Sequence, residues 1–172
     1  YLSEGKKLID ERVNEFLPNG KAYPESIHEA MRYSLLAGGK RLRPVLLMAA
    51  SEALGRDRQA VMPFAIAAEM IHTYTLIHDD LPALDNDDFR RGKPTNHKVF
   101  GEATAILAGD ALLTQAFILM TRAAGMDSVP PECILKATHE MASALGSTGM
   151  IGGQVVDLES EGKPITAETL EY

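Results

Sequence analysis

The segment VMPFAIAAEMIHTYTLIHDD, residues 61–80, is mostly apolar until it ends in two adjacent aspartates. A segment of this length with so few polar positions is typical of a helix that is buried on most sides. The chain continues as LPALDNDDFRRG, residues 81–92, so that five carboxylates fall between Asp79 and Asp88 and two arginines follow at once. The sequence therefore predicts a buried helix that carries a dense charged cluster at its C-terminal end.

The other periodic segments of the chain also predict helices. Apolar residues recur at spacings of three and four, and several of these segments have Pro near the start and Gly near the end. The predicted helices cover residues 24–40, 44–55, 61–80, 104–125, 131–146, 150–160 and 166–172. No segment alternates apolar and polar residues as a strand does. The predicted fold class is all-α, with an irregular segment at residues 81–98 whose length is typical of a functional loop.

Composition narrows the classes of function. The 172 residues, 45% hydrophobic and 24% charged, suit one soluble globular domain. A net charge of −7 argues against general nucleic-acid binding, which needs a basic surface. Cys133 is the one cysteine, so no internal disulfide can form, and a reducing, cytoplasmic location is expected. We expect no apolar stretch to reach the roughly 18 to 20 residues that span a bilayer, and therefore no stable membrane insertion.

The acidic cluster has two interpretations, a solvated loop and a metal site. Asp79 and Asp80 end a helix, where the helix dipole disfavours anions, and adjacent carboxylates repel each other. The helix is apolar, so these side chains are expected at the mouth of a core rather than on a free surface. A bound cation would offset these costs, and carboxylate oxygens suit Mg²⁺ when a phosphate completes its coordination. The cluster therefore favours a magnesium site.

Two other kinds of metal site do not fit the sequence. A calcium-binding EF-hand loop that began at Asp85 would need an oxygen ligand and then Gly where Phe89 and Arg90 stand. Cys133 and the scattered histidines lack the spacing of structural zinc ligands.

The spacing of the aspartates also bears on the magnesium interpretation. Asp79 and Asp85 are six residues apart, or roughly 600° around an ideal helix, so they would not share a helix face. Pro82 removes a backbone donor and interrupts the helix, which can bring Asp85 round to the side of Asp79. Asp87 and Asp88 can then simply be solvated.

Two basic groups accompany the cluster. Arg90 and Arg91 follow it directly, and they either neutralise it or hold a diphosphate through their forked guanidinium groups. The segment GGKRLRP, residues 38–44, places three basic residues just before a predicted helix N-terminus, which is a natural anion site. Gly38 and Gly39 allow a close backbone approach or positive φ. The two groups together indicate two separate anions, one of them bridged by metal.

His72 stands seven residues before Asp79, two turns away on the same helix face. A lone His in an apolar helix is more often an ordinary core residue, but here it lines up with the acidic cluster. That alignment favours a functional role. His78 lies on a different face and is less suited to one.

Four segments together resemble the trans-isoprenyl diphosphate synthases, also called polyprenyl synthetases, in that family's order and over nearly the whole chain. They are GGKRLRP (38–44), IHTYTLIHDDLPALDNDDFRRGKPTNH (71–97), GEATAILAGDALL (101–113) and GGQVVDLESEG (152–162). The similarity is greatest to the bacterial farnesyl diphosphate synthases. It implies an all-α isoprenoid synthase bundle around a central cavity, paired as a homodimer. The implied reaction joins an allylic diphosphate, dimethylallyl or geranyl, to isopentenyl diphosphate, head to tail, and gives farnesyl diphosphate.

The resemblance also implies roles for individual residues. Asp79 and Asp85 would hold Mg²⁺ on the allylic diphosphate, with Asp80 beside them, and Arg90 would bind the same diphosphate. The residues implied for isopentenyl diphosphate are Lys40, Arg43, His72 and Arg91. Gln154 and Asp157, in GGQVVD, match a further motif that lines the cavity.

Product length is implied by the residues four and five positions before Asp79, which are Thr75 and Tyr74. In the family these positions form the floor of the product cavity. A tyrosine ring there should stop chain growth early by excluding volume, which favours a farnesyl product over geranylgeranyl. Ordinary core packing of Tyr74 is compatible with that role.

The family carries a second aspartate-rich motif and a Lys-Thr pair that these residues do not contain. Residues 1–172 are therefore expected to be a polyprenyl synthetase domain without its C-terminal part. One alternative is a non-catalytic partner subunit of a prenyl synthase, although such a subunit need not keep Asp79, Asp85 and Arg90. Another is a class I terpene cyclase, which would leave Lys40 and its basic neighbours unexplained, because a cyclase has no second diphosphate to hold.

Overall fold

The structure is a computed structural model that describes residues 1–123 and 129–171. Its residues divide into two compact units, 1–128 and 129–172, which are described separately. Residues 124, 125 and 172, the last positions of two predicted helices, lie outside the described residues.

The first unit is made of helices with one short hairpin. Its helices are α1 (Leu2–Arg12), α2 (Glu25–Leu35), α3 (Leu42–Ala53), α4 (Met62–Asp79), α5 (Asn96–Phe100) and α6 (Glu102–Arg122). Two 3-10 helices, Val13–Phe16 and Arg58–Val61, precede α2 and α4. Strand β1 (Phe89–Arg90) pairs antiparallel with β2 (Lys93–Pro94). The second unit contains α7 (Pro131–Leu145), α8 (Met150–Ser160) and α9 (Ala167–Glu171).

Helix α4 forms the centre of the first unit. It packs mainly against α6 and also against α3, and its apolar side chains, such as Ile66 and Met70, are fully buried. The facing side of α6 is built from small residues, including Ala105, Ala108 and Gly109, which let the two helices approach closely. The apolar pattern of residues 61–80 therefore predicted a core helix correctly, and it is this helix that delivers the acidic cluster to one end of the unit.

The segment 81–98 is more regular than its composition indicated. The prediction that it lacks strand structure was wrong, because residues 89–94 form the hairpin of β1 and β2 and α5 follows at Asn96. The strands have two residues each, too few for an alternating pattern to register. The all-α class still holds, since the hairpin is a small appendage on a helical unit.

Two helical segments correct an expectation about apolar length. Residues 58–79 and 102–122 are long and apolar enough to cross a membrane by length and composition alone. The most apolar part of the first is 67% buried inside the structure and that of the second 39%. For the first segment, which contains α4, the apolar character is accounted for by its place in the protein core.

Candidate active site

The acidic cluster lies where α4 ends and the chain turns back on itself. The backbone N–H of Asp85 donates to the carbonyl oxygen of Asp79 at 2.8 Å, and that of Asn86 donates to the carbonyl of Leu81 at 3.1 Å. Asn86 adopts a left-handed conformation, with φ 52°, that completes the turn. Asp85 is thus brought back to the end of the helix, beside Asp79, although six residues separate them in the chain.

The neighbouring carboxylates repel one another, which disfavours the charged form of Asp79. Burial raises the pKa of Asp79, and the charges of Asp85 and Asp80 raise it further, while Arg90 and His78 oppose the shift. A carboxylate whose charged form is disfavoured in this way gains stability from a nearby cation. The arrangement is therefore suited to a divalent ion.

The donor set also constrains what kind of ion would fit. Within residues 1–123 and 129–171, no three His, Cys, Asp or Glu side chains are placed to hold a metal ion by themselves. Two carboxylates with substrate phosphate oxygens are the usual coordination of Mg²⁺, which seldom occupies a cage made only of protein groups. The residues present therefore fit a magnesium ion that binds together with a diphosphate.

Asp80 has a different partner from its two neighbours. Its side chain is only 4% exposed, and its Oδ1 accepts from Arg90 Nε at 2.7 Å and lies 2.6 Å from Arg90 Nη2. Asp87 lies 3.6 Å from the same Nη2. The hydrogen bond that Arg90 donates to Asp80 raises the pKa of Arg90 despite partial burial. Asp80 therefore fixes the direction of Arg90, and the charge of Arg90 is already largely balanced.

The hairpin presents Arg91 to the glycine-rich segment. Arg91 and Gly92 form its turn with φ values of 54° and 77°, a type I′ geometry that suits a two-residue hairpin. The Arg91 guanidinium donates to the carbonyl oxygen of Gly38. A Cβ at Gly39, where φ is 135°, would lie 2.7–2.9 Å from that guanidinium. The two basic groups, 53 residues apart in sequence, therefore meet in space.

Of the three basic residues in GGKRLRP, the middle one is structural. Arg41 is 2% exposed and donates to Asp10 Oδ1, Glu69 Oε1 and the Leu35 carbonyl at 2.8, 2.8 and 2.9 Å. Burial alone would lower its pKa, but the hydrogen bonds that Arg41 donates to Asp10 and Glu69, and the charges of both carboxylates, reverse the shift. Its two basic neighbours, Lys40 and Arg43, remain exposed.

His72 belongs electrostatically to the basic region. Burial lowers its pKa first, the charges of Arg43 and the hairpin arginines lower it further, and Glu69 opposes them. Neighbouring cations disfavour the charged form of an imidazole, and its neutral form can still donate or accept a hydrogen bond. The structure thus groups His72 with Arg43 and Arg91.

Tyr74 and Thr75 lie on α4 below the acidic cluster. Tyr74 is 6% exposed, and its pKa is raised by burial and then by the charge of Asp79. Its ring meets the imidazole of His78 edge to face, with centroids 5.6 Å apart and planes at 82°. The Thr75 hydroxyl donates to the His72 carbonyl at 2.8 Å. Tyr74 is therefore a packed ring within electrostatic reach of Asp79.

Polar residues to which the sequence assigned no role anchor the hairpin to α2, and two of them, Thr95 and Asn96, are buried. The Asn96 side-chain amide donates to the Ala30 carbonyl at 2.9 Å and to Ser34 Oγ at 2.8 Å. Tyr33 donates its hydroxyl to the Pro94 carbonyl at 2.8 Å, and Thr95 donates to the Asp87 carbonyl at 2.8 Å. The signal in the sequence is the polar run TNH directly after the hairpin, which could have been recognised as an anchor.

Gln154 and Asp157 lie in the second unit, three residues apart on α8, and both are exposed. Their side chains therefore project from neighbouring positions of one helix.

Comparison with known proteins adds to these observations. A family model described as polyprenyl synthetase matches residues 24–172. The farnesyl diphosphate synthase of Geobacillus stearothermophilus is 51% identical over 172 residues, which are all of this chain and 57% of that protein. The large subunit 1 of a chloroplastic heterodimeric geranylgeranyl pyrophosphate synthase of Arabidopsis thaliana is 52% identical over all of this chain and 46% of its own length. The chain thus spans about half the length of these curated relatives.

Solved structures agree in fold. An FPP/GFPP synthase from Zymomonas mobilis, in an apo structure, superposes with a TM-score of 0.90 at 41% identity, covering 98% of this chain and 61% of that one. A geranylgeranyl pyrophosphate synthetase from the archaeon Geoglobus acetivorans gives a TM-score of 0.86 at 38% identity, covering 98% of this chain and 52% of the other. The all-α isoprenoid synthase fold expected from the sequence is confirmed.

Proposed function

The chain belongs to the polyprenyl synthetase family, and from that premise we propose that the protein joins an allylic diphosphate to isopentenyl diphosphate, head to tail, with Mg²⁺ as cofactor. The observation that carries the proposal is the juxtaposition of an acidic and a basic region. Asp85 folds back to the end of α4 beside Asp79, and the hairpin that follows brings Arg91 to Gly38. Two diphosphate sites of opposite local charge would thus lie side by side.

The acidic region is proposed to hold the allylic diphosphate. Asp79 and Asp85 would bind Mg²⁺, which supplies Lewis-acid stabilisation to the leaving diphosphate. Arg90, held in direction by Asp80, would place a fixed positive charge against the same group. The role of Asp80 is then to orient Arg90 rather than to bind metal.

The basic region is proposed to hold isopentenyl diphosphate. Lys40 and Arg43 are exposed and belong to the same glycine-rich segment that Arg91 contacts. The charges of Arg43 and Arg91 also lower the pKa of His72. Gln154 and Asp157 are proposed to line the cavity in which the two substrates react. The released diphosphate can accept the final proton, so the reaction does not require a separate side-chain base.

Product length is proposed to depend on Tyr74 and Thr75, with farnesyl diphosphate as the main product. The buried ring of Tyr74 lies within reach of the charge of Asp79, as a floor beneath the allylic site would. Geranylgeranyl diphosphate is the alternative product, because relatives bearing either name are about half identical to this chain over the aligned residues, at 51% and 49%. The protein is further proposed to act as a homodimer in the cytoplasm.

The test is a product assay on the full-length product of the gene. The enzyme would be incubated with Mg²⁺, labelled isopentenyl diphosphate and each of dimethylallyl, geranyl and farnesyl diphosphate, and the products sized by chromatography. A C15 product that grows no further supports the farnesyl assignment, and a C20 product keeps the reaction but changes the product. If no primer is extended while diphosphate still binds, the partner-subunit alternative is favoured.

Substitution of the acidic residues tests the metal assignment within that assay. We expect Asp79→Ala and Asp85→Ala to abolish turnover while isopentenyl diphosphate still binds, because its site uses the other group of residues. Near-normal turnover in either variant would refute the assignment.

Tyr74→Ala tests the floor of the product cavity. It is expected to lengthen the product, and an unchanged product distribution would show that the floor lies elsewhere.

A further inference from the structure

His78 connects the end of α4 to α6 through a defined contact. Its Nε2 lies 3.0 Å from the carbonyl oxygen of Ile106. A carbonyl oxygen can only accept, so Nε2 carries the proton and the orientation of the ring is fixed. The same nitrogen lies 3.9 Å from Asp110 Oδ1, on the next stretch of α6. His78 is therefore tied to the backbone of α6 rather than free to rotate.

Gly109 makes room for this imidazole. A Cβ built on Gly109 would overlap the His78 ring, with Nε2 as its nearest atom. Gly109 is in the middle of α6, where glycine costs about 1 kcal/mol relative to alanine. Such a position is accounted for when the space of the missing methyl group is used by another side chain. Here that side chain is His78.

The other side of the imidazole meets Tyr74. The two rings are one helical turn apart on α4 and make the edge-to-face contact described above, with centroids 5.6 Å apart. Tyr74 is buried, so its ring has few other positions to occupy once the imidazole closes this side. Any movement of the Tyr74 ring toward α6 would require His78 to break its hydrogen bond to Ile106.

From these contacts we infer that His78 is a positioning residue that holds the ring of Tyr74 in place from α6, and that it thereby sets the length of the product. This inference rests on the proposed function, since it assigns a second residue to the floor beneath the allylic site. His78 does not itself touch the reacting groups in this scheme. It determines whether Tyr74 can yield to a growing chain.

The test compares product lengths of His78 variants with those of the wild-type full-length protein. His78→Ala removes the wall behind Tyr74, and we expect the ratio of the product one isoprene unit longer to the wild-type product to rise roughly two- to tenfold. That range corresponds to the usual free energy of an aromatic pair. His78→Gln keeps an N–H donor but loses the ring and should behave similarly. His78→Phe keeps a ring against Tyr74 but loses the hydrogen bond to Ile106, so it should lengthen the product less than His78→Ala does.

A control variant separates positioning from general loss of stability. Leu76→Ala truncates another side chain on α4, which faces α2 and the hairpin rather than Tyr74. It should lower the melting temperature without changing product length. If His78→Ala does not fold, Gly109→Ala tests the same contact from α6, because its methyl group would displace the imidazole.

The outcomes are distinguishable from those of the proposed function. A wild-type protein that extends no primer would refute the function itself. A wild-type protein that makes prenyl diphosphates, with the same product distribution in His78→Ala, His78→Gln and Gly109→Ala, would overturn the role of His78 and leave the function intact. Equal lengthening in Leu76→Ala would also overturn it.

Discussion

At the scale of single residues, the structure explains why position 39 is a glycine. A side chain there would have both an unfavourable φ of 135° and an overlap with the Arg91 guanidinium. We expect Gly39→Ala to displace Arg91 and to raise KM for isopentenyl diphosphate about tenfold, with a much smaller effect on the allylic substrate. Steady-state kinetics with each substrate varied in turn measures the difference.

Gly101→Ala is the matched control for that variant. Gly101 also has positive φ, at 84°, but an added Cβ would contact nothing within 4 Å. It should therefore share the backbone strain of Gly39→Ala without its effect on KM. Equal increases of KM for both substrates in Gly39→Ala would contradict a specific role for the Arg91 contact.

The buried Arg41 network leads to a prediction about stability. Arg41→Met would leave Glu69, which is 2% exposed, as an uncompensated buried charge, at a cost of about 3–5 kcal/mol. The double variant with Glu69→Gln should recover part of this loss because the orphaned charge is gone. Urea denaturation monitored by circular dichroism measures both, and a loss in Arg41→Met below about 1 kcal/mol would contradict the prediction.

The three basic residues of GGKRLRP also show which features the sequence can predict and which it cannot. The composition of the basic segment before a helix predicts an anion site, and that role stays a prediction. That Arg41 points inward could not be predicted, because its partners Asp10 and Glu69 are 31 and 28 residues away. Only tertiary packing distinguishes the buried cation from the exposed Lys40 and Arg43.

At the scale of elements, the hairpin is the part that carries both arginines to their places. Gly92 occupies the second turn position with φ 77°, where an L-residue costs about 1–2 kcal/mol. We expect Gly92→Ala to loosen the turn and to raise KM for both substrates, since Arg90 and Arg91 both depend on it. Kinetics and thermal unfolding of the same preparation measure the two effects.

Gly55→Ala provides the comparison for Gly92→Ala. Gly55 follows α3 with φ 71°, and an added Cβ would likewise contact nothing within 4 Å. Its substitution should cost similar stability with unchanged KM values. If the two variants had the same kinetics, the hairpin turn would not matter for binding.

The elements also differ in how well the sequence predicted them. Helix α4 follows from its apolar pattern to within one residue at each end, because burial on most sides leaves a strong compositional signal. The helix before the glycines ends at Leu35 rather than running to residue 40. Helix α1 was missed, and so was the hairpin, whose type I′ turn has Arg rather than Asn or Asp at its first position.

At the scale of the whole molecule, the acidic end of α4 is expected to cost stability. The pKa of Asp79 is 3.8 in the unfolded chain and is raised in the folded protein. At pH values between the unfolded and the folded pKa, the folded protein therefore binds more protons than the unfolded chain. The free energy of unfolding then falls as pH rises through this window and stays lower above it. Asp79→Asn, measured in EDTA, should therefore be more stable than wild type at neutral pH.

The same comparison has a built-in control. Because the pKa of Asp79 is raised on folding, the advantage of Asp79→Asn should shrink toward zero as the pH falls below 3.8, where the unfolded chain binds the proton as well. Adding Mg²⁺ with a non-reactive diphosphate should raise the melting temperature of wild type but not of the variant, by mass action. A variant less stable than wild type at every pH would contradict the electrostatic account.

The pairing of Asp80 with Arg90 has a consequence for how two like-charged substrates are sorted. Because the charge of Arg90 is already balanced by the carboxylate of Asp80, the acidic end of α4 would repel a diphosphate that has no bound metal ion. A diphosphate that carries Mg²⁺ would bind there. The glycine-rich side, where Lys40 and Arg43 are exposed, would bind an anion that carries no metal ion. Each diphosphate would thus be directed by whether magnesium accompanies it. At low concentrations of free Mg²⁺, allylic diphosphate should therefore bind at the isopentenyl diphosphate site and inhibit its own reaction.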